Sequence, residues 1–195
     1  MKWYRLAAAQ GRAEAQAFIG SMYANGQGVP QDYAEAMKWL RLAAGQGLDL
    51  AQAAIGEMYA KGQGVPQDYA EAAKWYQLAA AQGFAEAQDN IGLMYAYGRG
   101  VQQDYAEAAK WYQLAAAQGL AAAQMRIGFM YVIGQGVRRD YVPAHMWFNL
   151  AAEGEDEEIA REAREERDKL AGMMTPEQIA KAQQLAREWK PTEPK

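Results

Sequence analysis

Apolar side chains return along this chain in two alternating phases. Over 13–25, Ala15, Ile19, Met22 and Tyr23 follow the i, i+4, i+7, i+8 spacing of one buried helical stripe. The spacing recurs over 49–61, 85–97 and 121–133, so a helix, here called helix A, is predicted at each. Gly26, Gly62, Gly98 and Gly134 follow, and glycine ends helices because it takes the left-handed C′ conformation without steric penalty. A Gly-x-Gly-Val loop comes next, as in Gly26-Gln27-Gly28-Val29. A second helix, helix B, is predicted to open at Asp32, Asp68, Asp104 and Asp140. Glu35, Glu71 and Glu107, three residues later in the first three copies, make a capping-box arrangement. Its stripe in the second copy reads Tyr69, Ala72, Trp75 and either Ala79 or Leu78, and Gly83 closes the unit.

One period governs both helices. Trp3, Trp39, Trp75, Trp111 and Trp147 fall 36 residues apart, as do Tyr23, Tyr59, Tyr95 and Tyr131, and Ile19, Ile55, Ile91 and Ile127. Segments 64–83 and 100–119 differ only at Pro66 against Gln102. A single pair cannot bury a Trp, a Tyr and two aliphatics, so units must stack on their neighbours. The fold class that follows is all-α, a solenoid of antiparallel helix pairs on a 36-residue repeat. Gly20, Gly56, Gly92 and Gly128 sit mid-helix, where glycine costs about 1 kcal/mol relative to alanine. Close approach of an adjacent helix, with the aromatic of the next unit over the gap, is the expected offset.

The ends read differently. Residues 1–11 hold helix B alone, 12–153 hold four helix pairs, 154–190 form C-terminal capping helices and 191–195 a tail. Within 154–172, Glu157 with Arg161 and Glu165 with Lys169 are expected i,i+4 partners. Thr175-Pro176-Glu177-Gln178 starts a last helix whose Ile179, Ala182, Ala186 and Trp189 share a face before Pro191.

Composition narrows the function classes. With 51% hydrophobic and 23% charged residues the chain should fold, and since much of the apolar part is alanine, six Trp, twelve Tyr and ten Met must supply core area. A net charge of -4 gathers no phosphates, so nucleic acid is not the expected partner. No stretch approaches the length that spans a bilayer, and Met1-Lys2-Trp3 begins no export signal. The expected setting is the cytoplasm for the chain as given, or the periplasm where a signal was removed from upstream of the split first repeat.

Chemistry is sparse. His145 is the only histidine, Ser21 the only serine and there is no cysteine, so neither a Ser-His-Asp arrangement nor a structural zinc site is expected. His145 reads as a helix B surface or interface residue. The Gly-x-Gly loops follow a helix rather than a strand and lack a Walker lysine, which makes them turns rather than phosphate cradles. The acids of 153–168 alternate with Arg and Lys as on a solvated helix, not a calcium site. No cofactor, no metal and no catalysis are expected.

These units resemble Sel-1-like repeats, relatives of the tetratricopeptide repeat. The resemblance rests on 51–60 (AQAAIGEMYA), 62–69 (GQGVPQDY) and 72–76 (AAKWY), and covers residues 1 to about 153. The tail from Met174-Thr175-Pro176 is also similar to the ends of bacterial members. It implies a right-handed superhelix with helix A lining a concave face, acting as an adaptor in protein assemblies, signalling or secretion. Cysteine-rich members carry disulfides between helices, and this chain has no cysteine to form them.

Positions that differ between copies are then free to carry specificity, and helix A is where the copies diverge. Its variable stripe predicts a partner-binding face of Phe18, Asn25, Glu57, Lys61, Asn90, Leu93, Tyr97, Arg126, Phe129 and Ile133. Leu93, Tyr97, Phe129 and Ile133 would form an apolar patch of hot-spot character, or else be covered by the last helix through Ile179, Leu185 and Trp189. The leading expectation is a protein or peptide partner on this face. Also open are a scaffold that self-associates through its end repeats, a cell-wall glycan binder, and an engineered consensus repeat with no natural ligand.

Overall fold

The computed structural model describes residues 2–192, which leaves Met1 and positions 193–195 of the expected tail outside the description. The described residues form eleven helices and no strand. They are α1 (Lys2–Ala9), α2 (Ala13–Asn25), α3 (Tyr33–Gly45), α4 (Asp49–Lys61), α5 (Tyr69–Ala81) and α6 (Ala85–Tyr97), followed by α7 (Tyr105–Ala117), α8 (Ala121–Ile133), α9 (Tyr141–Ala151), α10 (Glu157–Ala171) and α11 (Pro176–Glu188). The contacts divide the chain into two compact units. One holds α1 to α5, and the other holds α7 to α11 with most of α6.

Helix limits follow from local chemistry. Gly26, Gly62 and Gly134 take φ of 66, 68 and 74° and return their N–H to Met22, Met58 and Met130, so the left-handed stop expected from sequence ends α2, α4 and α8. Asp32 Oδ1 accepts from Glu35 N at 2.9 Å, and Asp68 and Asp104 each accept from two backbone N–H groups. The glutamates do not complete the expected boxes. Glu35, Glu71 and Glu107 pair instead with Lys38, Lys74 and Lys110 one turn on, because a lysine at i+3 offers a full charge. A reciprocal box does form at Thr175, whose N donates to Gln178 Oε1 at 2.9 Å while its Oγ1 accepts from Gln178 N at 3.3 Å.

Packing corrects the expected core stripe. In the first unit α2 packs on α3 and α4 on α5, with α3 between α2 and α4; in the second α8 packs on α7 and α9. Ile19, Ile55, Ile91 and Ile127 are fully buried. Facing each mid-helix glycine is the residue after the tryptophan: Leu40 over Gly20, Tyr76 over Gly56, Tyr112 over Gly92 and Phe148 over Gly128. These residues belong to helix B of the same repeat, not the next one. Trp39, Trp75, Trp111 and Trp147 are only half-buried, since one residue turns a side chain about 100° round the helix. Leu78 is exposed and Ala79 buried, which settles the end of that stripe.

The C-terminal helices also depart from expectation. N-capped by Asp156, α10 lies against α9 and α8, and its Ala163 and Leu170 join the core of Met125, Ala144 and Phe148. Its ion pairs are Glu166 with Lys169 at 2.6 Å, Arg167 with Asp168 at 2.8 Å and Glu157 with Arg164 at 4.0 Å, rather than the i,i+4 pairs expected. The last helix does not cover the helix A patch: α11 packs on α9, burying Ala182 and Ala186. Trp189 meets Trp147 edge to face at 6.5 Å. Leu42, Leu78 and Leu114 are 53, 51 and 50% exposed, whereas their counterpart Leu150, under α11, is 9% exposed.

Of the two readings of His145, surface or interface, the structure shows the interface. The side chain is buried rather than superficial, because it occupies the apolar column of Met37, Ala73 and Ala109, and its Nδ1 has no hydrogen-bond partner among the described residues. Burial, then the charge of Arg167, holds its pKa below the ordinary value, with Asp168 opposing. The unfolded chain therefore binds a proton more readily than the folded one. Stability is full above about pH 6.5 and declines as the pH falls from there toward the lower folded-state pKa. Thermal unfolding across pH 7.5 to 5 is expected to show this decline in the wild type and to lose it in His145→Met, which restores the residue of the first repeat.

Candidate functional site

The variable stripe of helix A meets itself within each unit. In the first, α2 and α4 bring Ser21, Asn25, Leu50, Glu57 and Lys61 round a cleft of about 360 Å³, floored by Ala54 and Met58 and walled by Tyr33. Polar groups there pair with each other: Asn25 Nδ2 donates to Ser21 Oγ at 3.2 Å, and Lys61 pairs with Glu57 one turn back. Of the expected residues, Asn25, Glu57 and Lys61 share this cleft. Phe18 lies outside it and stacks on Tyr4 of α1 at 4.0 Å, so part of its ring is committed to packing.

The second unit has a more apolar counterpart. Leu93 and Tyr97 of α6 and Arg126, Phe129 and Ile133 of α8 border a cleft of about 270 Å³, with Tyr105 and Tyr112 behind. Asn90 is outside its lining. Tyr97 and Ile133 are 66 and 61% exposed, an uncommon state for large apolar side chains that face each other across one depression. Phe129 is half-buried and meets Phe148 edge to face at 5.1 Å, so it serves the core as well as the cleft.

Arg126 is held by a residue that the variable stripe does not include. Its Nη1 donates to Oδ1 and Oδ2 of Asp89 at 2.8 and 2.7 Å, and its guanidinium lies 5.9 Å above the Tyr112 ring. Asp89 is buried, and its carboxylate fixes where the cation stands at the edge of the cleft. Burial raises the Tyr112 pKa above the tyrosine range, with Arg126 opposing, so the phenol stays neutral beside the cleft. The signal for Asp89 was present: its column holds Ala17, Ala53 and Met125 in the other copies, and a lone charge at an apolar column calls for a partner. Among the described residues no cluster of His, Cys, Asp and Glu could hold a metal ion, and no helix is long and apolar enough to cross a membrane.

Comparisons with known proteins agree with this architecture. The Sel1 repeat model matches residues 1–11, 13–48, 49–84, 85–120 and 121–156. No protein of curated function matches the chain. A protective antigen of uropathogenic Escherichia coli strains, displaying an SLR fold, is similar over 96% of the chain at 34% identity and a TM-score of 0.86. This chain spans 40% of that antigen's length. A Sel1 repeat protein from Oxalobacter formigenes is similar over 97% of this chain and 78% of its own, at 34% identity and a TM-score of 0.81. An immunity protein from Pseudomonas aeruginosa, at 18% identity over 86% of this chain and 72% of its own with a TM-score of 0.54, shares the fold alone. Sel1 repeats are generally protein-interaction modules rather than catalysts. With repeats matched across α1 to α9, and two relatives at 34% identity over nearly its whole length, the chain belongs to the Sel1 repeat family.

Proposed function

We propose that this chain is a binding module that takes a protein or peptide segment on its helix A faces, through the polar cleft of the first unit and the aromatic cleft of the second. One observation carries this reading. Most of the variable stripe, Phe18 and Asn90 excepted, lines clefts, whereas Ile19, Gln16 and Gly20 and their counterparts, which do not differ, are buried. A stack needs only the second set to stand, so the first is free to recognise. The two clefts ask for different chemistry. Glu57, Lys61, Asn25 and Ser21 suit polar and charged side chains, while Leu93, Tyr97, Phe129 and Ile133 suit an aliphatic or aromatic anchor with an acidic neighbour near Arg126.

The sharpest test uses the exposed pair. Tyr97→Glu and Ile133→Glu remove contact area and add charge at side chains that are largely exposed, so stability should move by no more than about 1 kcal/mol. A partner captured from the native host by the wild type should bind each variant about 30-fold more weakly or worse, the scale of a lost hot spot. Capture that survives both substitutions places the interaction elsewhere. Phe129 is unsuitable for this purpose, because its contact with Phe148 makes its loss a stability defect.

A further inference from the structure

A glutamine recurs on helix A at Gln16, Gln52, Gln88 and Gln124, and all four are buried. Each of the first three has its Oε1 matched by a primary amide 30 residues on: Gln46, Gln82 and Gln118 donate Nε2 at 2.8 Å in every case. The amide nitrogens turn the other way, Gln16 to Ala8 O at 3.3 Å and Gln124 to Ala116 O at 3.2 Å. A buried amide oxygen is thus satisfied in three junctions by a side chain from the C-terminal turn of helix B.

The fourth junction breaks the rule. Thirty residues after Gln124 stands Gly154, in a turn where α9 ends two residues earlier than α3, α5 and α7 do, although one bond is kept: Gly154 N donates to Ala151 O at 3.1 Å, as Gln46 N does to Ala43 O at 3.1 Å. Gln124 is 3% exposed, and among the described residues its side chain makes only the bond to Ala116. Beside it lies a cleft of about 440 Å³ bordered by Asn149, Glu153, Gly154, Arg187 and Trp189. Trp189 is fixed by its edge contact with Trp147 and by the bond from Thr192 N to Ala117 O at 2.8 Å, which ties the segment after α11 to the end of α7.

We propose that this cleft binds a primary carboxamide, the side chain of a glutamine or asparagine, whose N–H donates to Gln124 Oε1 as Gln46, Gln82 and Gln118 donate to the other three oxygens. Gln124 is itself part of the cleft wall, and its Oε1 is not among the buried unpartnered atoms of the described residues, so a ligand amide that reaches this oxygen replaces water there with little rearrangement. The Trp189 ring offers an apolar wall for the ligand's methylenes, and Asn149 a further polar contact. Glu153 and Arg187 at the rim complement the ammonium and carboxylate of a free amino acid, or the charged neighbours of an amide in a peptide. The cleft shares no lining residue with the two helix A clefts, so it stands or falls independently of the function proposed above.

The test is calorimetric titration of the full chain with L-glutamine, with a capped Gly-Gln-Gly peptide and with L-glutamate. Saturation by a glutamine compound is expected in about the millimolar range usual for so few atoms. Glutamate should bind at least tenfold more weakly, because its carboxylate faces the Gln124 carbonyl with no proton to donate. Tighter binding of the peptide assigns the amide to a protein partner, and tighter binding of the free amino acid assigns it to a metabolite. Gly154→Gln, which returns the amide donor to the chain, should abolish binding. A Cβ there would lie 3.0 Å from Ala121 Cβ, so Trp189→Ala is a second variant, expected to weaken binding at least fivefold. No saturation by either glutamine compound, equal binding of glutamate, or undiminished binding by a folded Gly154→Gln protein overturns the proposal. If Gly154→Gln does not fold, undiminished binding by Trp189→Ala overturns it.

Discussion

Gly136→Ala is expected to lower the unfolding free energy by about 2–5 kcal/mol, against about 1–2 kcal/mol for Gly11→Ala. Both glycines have left-handed backbones, with φ of +71° and +83°, and both substitutions pay the conformational penalty. Only at Gly136 is there also a collision. A Cβ there would lie 2.0 Å from Tyr105 O and 2.4 Å from Tyr105 C, whereas at Gly11 nothing lies within 4 Å. The obstacle is backbone at the first residue of α7, pinned by the bond from Ala106 N to Asp104 Oδ1 at 2.8 Å, so it cannot swing aside as a side chain could. A Cβ at Gly100 would lie 2.1 Å from Tyr69 O in the same way. The second glycine of the last three Gly-x-Gly loops, Gly64, Gly100 and Gly136, thus lets the loop rest on the start of the preceding helix B. Urea denaturation of the two variants separates the terms, and equal losses would mean that the contact yields freely.

Phe148→Ala is expected to cost about 3–5 kcal/mol, since the ring is among the largest fully buried side chains. It should also reverse the sign of a second substitution. In the wild type, Gly128→Ala would put a Cβ 2.6 Å from Phe148 Cε1, and Phe129 at 5.1 Å hinders the ring from moving away. Overpacking of about 1–3 kcal/mol then outweighs the roughly 1 kcal/mol that alanine gains in a helix. With residue 148 reduced to alanine only the gain remains, so Gly128→Ala should stabilise that background. A double-mutant cycle by denaturant unfolding gives the coupling directly. If Gly128→Ala destabilises both backgrounds alike, the glycine serves something other than the ring.

How much of this was legible can be read residue by residue. The four helix A limits were fixed by their terminal glycines, the strongest local punctuation in the chain, and they coincide with α2, α4, α6 and α8. The core of helix B was not, because Trp75 and Tyr76 are adjacent aromatics and periodicity alone can draw the stripe through either. Leu40, Tyr76, Tyr112 and Phe148 are large and apolar in every copy, a column that marks the core without requiring one residue type. His145 was open between surface and interface for a related reason, since only its column of Met37, Ala73 and Ala109 separates the two. The clefts were partly legible. Variation between copies found Asn25, Glu57, Lys61, Leu93, Tyr97, Arg126, Phe129 and Ile133, all of which line one cleft or the other. It could not find the position of α11, which depends on contacts that no repeat shares.

The sequences of α5 and α7 are the same thirteen residues, YAEAAKWYQLAAA. Their surroundings are not the same, since Tyr112 lies under the Arg126 guanidinium while Tyr76 feels the negative charge of Glu57. The molecule therefore carries its own matched control. Any contrast in amide exchange or ring dynamics between these twin segments is free of composition and propensity, and measures neighbourhood alone.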